Sequence, residues 1–283
     1  EISECLVGSE MCIRDSSIIA VAVFVAVGIR MITSGDGRTN RYDVEAGNNT
    51  YDNAVIENSK ISEKNKIQNN QSMLDDIMNS TQYPKQLKDL ALKNEEALEF
   101  VFDYPAEHVK ENTIDLTEEA SMDSVPLFVQ WDKRWGYEKY SGNFFAASGC
   151  GPTTLSMVVV YLTHNRDASP IAVAKYSKEA GYSVDGSGSS WTLISEGCMH
   201  YGVKAKAVAL DESRMKAELD EGHPIVVNVG PGDFTDTGHF MVITGYDDEG
   251  FSINDPNSIE KSGKRWLFKN ISSQIRAVWS MYV

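Results

Sequence analysis

The 283-residue chain has four cysteines, Cys5, Cys12, Cys150 and Cys198, and eight prolines. No two cysteines stand as CxxC, and no His/Cys/Asp cluster has ligand spacing. Neither a metal site nor a disulfide framework is expected, and no cofactor is implied. Positive charge is scarce: 26 basic residues face 41 acidic ones, net −15, with no basic patch. That excludes nucleic acid as a partner. There is no internal repeat. The chain also lacks an apolar run of the ~20 residues that a membrane-spanning helix needs. The longest, Ser17 to Ile29 followed by Arg30-Met31-Ile32, is shorter. It reads first as a membrane anchor (residues 16–32) and second as the apolar core of a cleaved signal. Both readings place the remainder at the extracytoplasmic face of the cell membrane or beyond it. Residues 1–15 have neither an initiating Met nor an apolar period, and are expected to be a non-native start.

Residues 33–83 are rich in Asn, Ser, Asp, Glu and Lys and read as a disordered acidic linker. Residues 84–120 change character. Leu87, Leu90, Ala91, Leu98, Val101 and Phe102 suggest a short helical extension, with Asn94 capping between two helices. Across residues 121–283 the pattern gives helices first: 153–162, 170–180, 191–201 and 212–219. Strands come second: 225–229, 239–246, 250–254, 265–268 and 277–282. This order argues for an α+β domain with an antiparallel sheet, and a monomer is expected. Asp247-Asp248-Glu249-Gly250 marks a hairpin turn.

The most informative stretch is Ser148-Gly149-Cys150-Gly151-Pro152-Thr153-Thr154, directly ahead of a helical pattern. A thiol at a helix N-terminus meets unpaired N–H groups and the positive dipole end, which favour thiolate. On these residues alone a buried free cysteine is an equal reading. A thiol nucleophile needs a base, and the base an orienting acceptor. His239 opens one strand of the hairpin and Asp255 follows the other. Asn254 is the rival orienter, since adjacent strand residues face opposite ways. Strict pairing places Asp255 near Val242 and His239 near Ser258, so the match is approximate. The N–H of Cys150 and the side chain of Gln130 are candidate donors to a developing oxyanion. His108, His164, His200 and His223 have no partner at a suggestive position, and Cys198 reads as core. Trp191 and the loop 231–237 are candidate groove walls, with a buried Trp191 the stronger reading.

Four strings in order, VPLFVQWDKRWGY, SGCGPTTLSMV, GHFMVITGY and NDPNS, resemble the bacteriocin-processing-like branch of the papain-like cysteine peptidases, the peptidase C-thirty-nine-like domains. The similarity covers residues 121–283. It implies a papain-like fold, with a helical half carrying the cysteine and a sheet half carrying histidine and aspartate. By motif it makes Cys150 the nucleophile, His239 the base and acid, Asp255 the orienter and Gln130 the oxyanion donor. In transporter-fused relatives the glutamine lies much closer to the cysteine; here Phe144 and Phe145 fill that region. The implied activity is hydrolysis of a peptide or protein substrate through a thioester acyl-enzyme. A cell-wall peptide hydrolase, a transpeptidase-like transferase and a non-catalytic peptide-binding module remain alternatives.

Overall fold

The computed structural model describes residues 49–283, with side chains from residue 60; the apolar run and the expected non-native start lie outside the described residues. Among the described residues no helix is long and apolar enough to cross a membrane. Much of the stretch expected to be disordered is instead a helix, α1 (Asn49–Asn79). The reason is local and tertiary together. Its Lys, Glu, Gln, Met and Leu residues lose little on entering a helix. Its last turns carry Met73, Leu74 and the buried Ile77, which dock on the helices that follow. A helix without an apolar stripe takes its stability from such docking.

The extension is helical as expected: α2 (Lys85–Lys93), α3 (Leu98–Phe102) and α4 (Tyr104–Glu107). Asn94 ends α2 and caps a single 3-10 turn, its side chain accepting from the Glu96 N–H at 3.0 Å. Leu87, Leu90, Leu98, Phe100 and Val101 form one core with Ile77 and, from the next segment, Phe144 and Ala146.

A short hairpin, β1 (Lys139–Tyr140) and β2 (Asn143–Phe144), leads into α5 (Phe145–Ser148) and α6 (Cys150–Thr163). Helix α7 (Pro170–Glu179) starts with Pro170 in its first turn and Ser169 as its cap. A second hairpin, β3 (Ser183–Val184) and β4 (Gly188–Ser189), precedes α8 (Thr192–Ser195). The single helix expected over 191–201 is broken: α8 stops and a 3-10 turn, Gly197–Tyr201, follows. Gly197 lies so close to Tyr182 and Leu193 that a Cβ would stand 3.1 and 3.2 Å from them.

The remaining elements are β5 (Lys204–Ala207), α9 (Glu212–Asp220), β6 (Ile225–Val229), β7 (His239–Asp247), β8 (Gly250–Asn254), α10 (Ile259–Ser262), β9 (Arg265–Trp266), α11 (Phe268–Ile271) and β10 (Ile275–Tyr282). They build a six-stranded antiparallel sheet in the order β5-β10-β6-β7-β8-β9. Strand β5 escapes the sequence pattern because its Lys-Ala-Lys-Ala alternates only with small, mostly exposed alanines, which suits a sheet edge. Phe268, expected to end a strand, opens α11 instead. The sheet is covered on both faces. Val226, Phe240 and Val242 face the core around α6, while Ile225, Val227, Met241 and Ile243 face the core around Met215 and Ile271. This is the two-sided alternation of a sandwiched strand.

Candidate active site

Helix α6 begins at Cys150 itself. Both flanking glycines are required by contacts rather than by turn geometry. A Cβ on Gly149 would meet the Phe145 ring at 2.6 Å, and one on Gly151 would meet Ser189 Oγ at 2.6 Å. The β3–β4 hairpin therefore presses on the first turn of α6, with Ser189 further held by the Tyr140 hydroxyl at 2.6 Å. Cys150 is half-buried. Burial alone would push its thiol up, but a hydrogen bond and the charge of His239, with the N–H groups of Phe240 and Gly151, outweigh this and hold it below the ordinary thiol value.

His239 opens β7, and its Nε2 meets Asp255 Oδ1 at 2.6 Å with both residues buried. That leaves Nδ1 as the ring nitrogen available to Cys150, which lines the same groove. Burial disfavours the charged ring. The Asp255 carboxylate, by charge and hydrogen bond, and then Cys150, override it and push the imidazole up to about 10. Thiolate and imidazolium thus stabilise each other.

A register slip decides which residue orients the ring. Near the turn, Tyr246 pairs with Phe251 and Gly245 with Ser252, but beyond an irregularity Ile243 pairs with Ile253 and Val242 with Asn254. Thr244 is the extra residue. Were Thr244 paired in the ladder, Asn254 would lie opposite Ile243, on the face of His239. With Thr244 unpaired, that face passes to Asp255, because a one-residue shift exchanges the two faces of a strand. Asn254 turns away and donates to the carbonyls of Val125 and Pro126, both at 3.1 Å. The choice left open between Asp255 and Asn254 is settled in favour of Asp255, whose position differs from that of a strict hairpin.

Gln130 is buried beside the thiol, although twenty residues separate it from Cys150 in sequence. Its Nε2 donates to Ala146 O at 2.7 Å and only weakly, at 3.4 Å, to Asn257 Oδ1. One amide proton is thus barely engaged. Asn257 is a residue that the sequence reading missed. Its N–H donates to Asp255 Oδ1 at 2.8 Å, and its side-chain oxygen also receives Asn94 Nδ2 at 3.1 Å. Glu96, next to that cap, receives the N–H groups of Ile259 and Glu260 at 2.7 and 3.0 Å and the Ser258 hydroxyl. Extension residues therefore hold the turn that carries Asp255. Asn228 was missed as well; its side chain donates to the His239 carbonyl at 3.2 Å.

Cys150 sits at the junction of two open compartments. One, of about 500 Å³, is lined by Asp89, Lys93, Gln130, His239, Asn257 and the loop 232–238. The other, of about 700 Å³, is lined by Ser141, Asn143, Ser148, the segment 186–189, Trp191, Asn228 and Arg276. The loop expected at the groove lines it. Trp191 is not core: it is 48% exposed and rests edge-on against Trp279, because α8 is too short to carry it inward. Cys198 is buried, and burial pushes its thiol up to about 11. His200 stacks on Tyr176 and His108 on Tyr104, both outside the groove lining. Among the described residues one cluster, Glu218, Glu221 and His223, has ligand atoms within 4.8 Å of one another. Lys206 and Ser280 already bind Glu218, at 2.8 and 2.7 Å.

A thiol at a helix start lines one groove with an imidazole that is bonded to a carboxylate on the antiparallel sheet, the groups of a peptidase-like domain. The chain belongs to the Peptidase_C39 like family, whose model matches residues 122–283. The peptidase domain of Streptococcus ComA, a bifunctional ABC transporter involved in quorum sensing, is similar at 18% identity and TM-score 0.41, over 56% of this chain and 96% of that one. A putative C39-like peptidase from Bacillus anthracis is similar at 16% identity and TM-score 0.36, over 56% and 95%. No curated protein matches the chain.

Proposed function

We propose that the protein is a papain-like cysteine peptidase that hydrolyses peptide amide bonds through a thioester on Cys150. The observation that carries this reading is the short His239 Nε2–Asp255 Oδ1 contact, 2.6 Å, in the groove that Cys150 also lines. The thiolate attacks the scissile carbonyl carbon. The resulting oxyanion is met by the Cys150 N–H, one of the groups a helix leaves unpaired at its first turn, and by the free amide proton of Gln130. His239 then passes its Nδ1 proton to the departing amine, and the carbonyl re-forms as a thioester. Neutral His239 next takes a proton from water, the hydroxide adds to the thioester, and the thiolate leaves. Asp255 holds the ring throughout. The apolar run 17–32 supports action outside the cytosol, at the membrane.

The test is cleavage of a peptide library by the full chain and its Cys150→Ala form. Cleavage lost in Cys150→Ala, with a thiol-reactive probe labelling Cys150 far faster than Cys198, supports the reading. Equal, slow labelling of both cysteines without cleavage identifies a binding module instead.

A further inference from the structure

The Trp191 compartment contains one formally charged side chain, Arg276. We propose that Arg276 makes this compartment a subsite for an acidic side chain of the substrate, an inference that rests on the peptidase reading above. Arg276 is where β10 breaks register: Ile275 pairs with Val229 and Ala277 with Asn228, leaving Arg276 without a partner. Such a bulge re-aims a side chain out of the ladder. Room for the guanidinium comes from Gly230, where a Cβ would stand 2.8 Å from Nε and 3.1 Å from Nη2. Nη1 donates to the Ser273 carbonyl at 2.8 Å, which anchors the group and leaves its other donors for a ligand. Among the described residues no carboxylate lies within ion-pair distance of it, in a chain of net charge −15.

The opposite compartment differs in kind, being lined by Asp89, Asp233 and Asp236 as well as Lys93 and Lys261. An unpaired arginine at the sole charged position of one half-groove suits a carboxylate, which its planar fork binds through two parallel hydrogen bonds. Trp191 offers an apolar wall for the methylenes of that side chain. Reach fixes the position. Strands β10 and β7 are separated only by β6, so Arg276 backbone lies roughly 10 Å from that of His239. An extended peptide advances ~3.3 Å per residue, which puts the acidic residue two or three positions from the scissile bond.

The experiment uses the full chain, a peptide library varied over several positions on both sides of the cleaved bond, and ordinary salt. Asp or Glu should be enriched two or three positions away on one side. Arg276→Ala should raise KM for an acidic peptide about tenfold with little change in kcat, and leave a neutral peptide unaffected. Arg276→Glu should transfer the preference to Lys or Arg. An absent acidic preference, or one that survives Arg276→Glu, overturns the proposal. Fluorescent acidic and neutral peptides titrated into Cys150→Ala protein give a readout independent of cleavage. Arg276-dependent binding without cleavage by the intact thiol sinks the peptidase reading and upholds the subsite. Binding indifferent to Arg276 sinks the subsite whether or not cleavage occurs.

Discussion

At Cys150 two opposing effects compete, and the outcome sets the pH behaviour. Burial raises the thiol, while His239 and two backbone N–H groups lower it more. His239 is moved the other way, up to about 10. The thiolate–imidazolium pair therefore persists from below the ordinary thiol value up to the histidine's own deprotonation. At a given pH, alkylation of Cys150 should be faster than that of an ordinary thiol. In His239→Ala the lowering contributions of the ring vanish while burial and the two N–H groups remain, so labelling should shift to higher pH. Peptide turnover should fall on the alkaline side as His239 loses its proton near pH 10. It should drop by roughly 10²–10⁴ in His239→Ala. Cys198, pushed up to about 11, should label slowly in both proteins.

At the scale of elements, the bulge at Thr244 and the turn after Asp255 determine which side chains meet. Deleting Thr244 should remove the bulge yet keep Ile243 opposite Ile253 and Val242 opposite Asn254, so Asp255 stays on the face of His239. Turnover should then survive within about tenfold, whereas Asp255→Ala should cost more than that while the circular dichroism stays that of a folded sheet. The clamp from the extension gives a milder test. Glu96→Gln removes the charge from the contacts to Ser258, Ile259 and Glu260, so kcat should fall several-fold with KM little changed and the pH limits shifted. These features also mark where the sequence stopped being informative. Cysteine, histidine and the hairpin were legible from a helix-start pattern, period-two alternation and a turn. The bulge was not, because Thr244 carries no local signal that distinguishes an extra residue from a paired one. Asn257, Glu96 and the tie from Asn94 to Asn257 stayed hidden because the partners lie 127 to 164 residues apart, beyond any local pattern. Trp191 was misread for a related reason. Its size argues for burial, and only the break at Gly197 shows why α8 leaves it on the surface.

Across the whole molecule, the matched family span begins at residue 122, yet the structure does not treat that position as a boundary. The core of the extension includes Phe144 and Ala146, with Trp131 and Tyr137 packed against it, and Tyr137 donates to the Phe100 carbonyl at 2.7 Å. A chain beginning at residue 121 should therefore expose this apolar surface, melt lower and lose activity relative to one beginning at residue 60. Leu87→Ala, at a fully buried site in the same core, should cost about 2–5 kcal/mol by chemical denaturation. The order of helix and strand patterns foretold the α+β arrangement of the domain. Composition misjudged the acidic linker, because a polar segment with good helix formers folds once its end finds a docking site.

The two-sided groove has a consequence for what ends the reaction. In the proposed reaction, one fragment stays tied to the sulfur in its own half after the first bond breaks, while the other drifts away and leaves its half vacant. The next visitor to the thioester arrives by that emptied route, and water is the smallest applicant. An amine in solution has the same door open to it, so the ratio of transfer to hydrolysis becomes a property of the departing fragment's side. Adding increasing glycinamide and counting capped against free product ends measures how selective that door is.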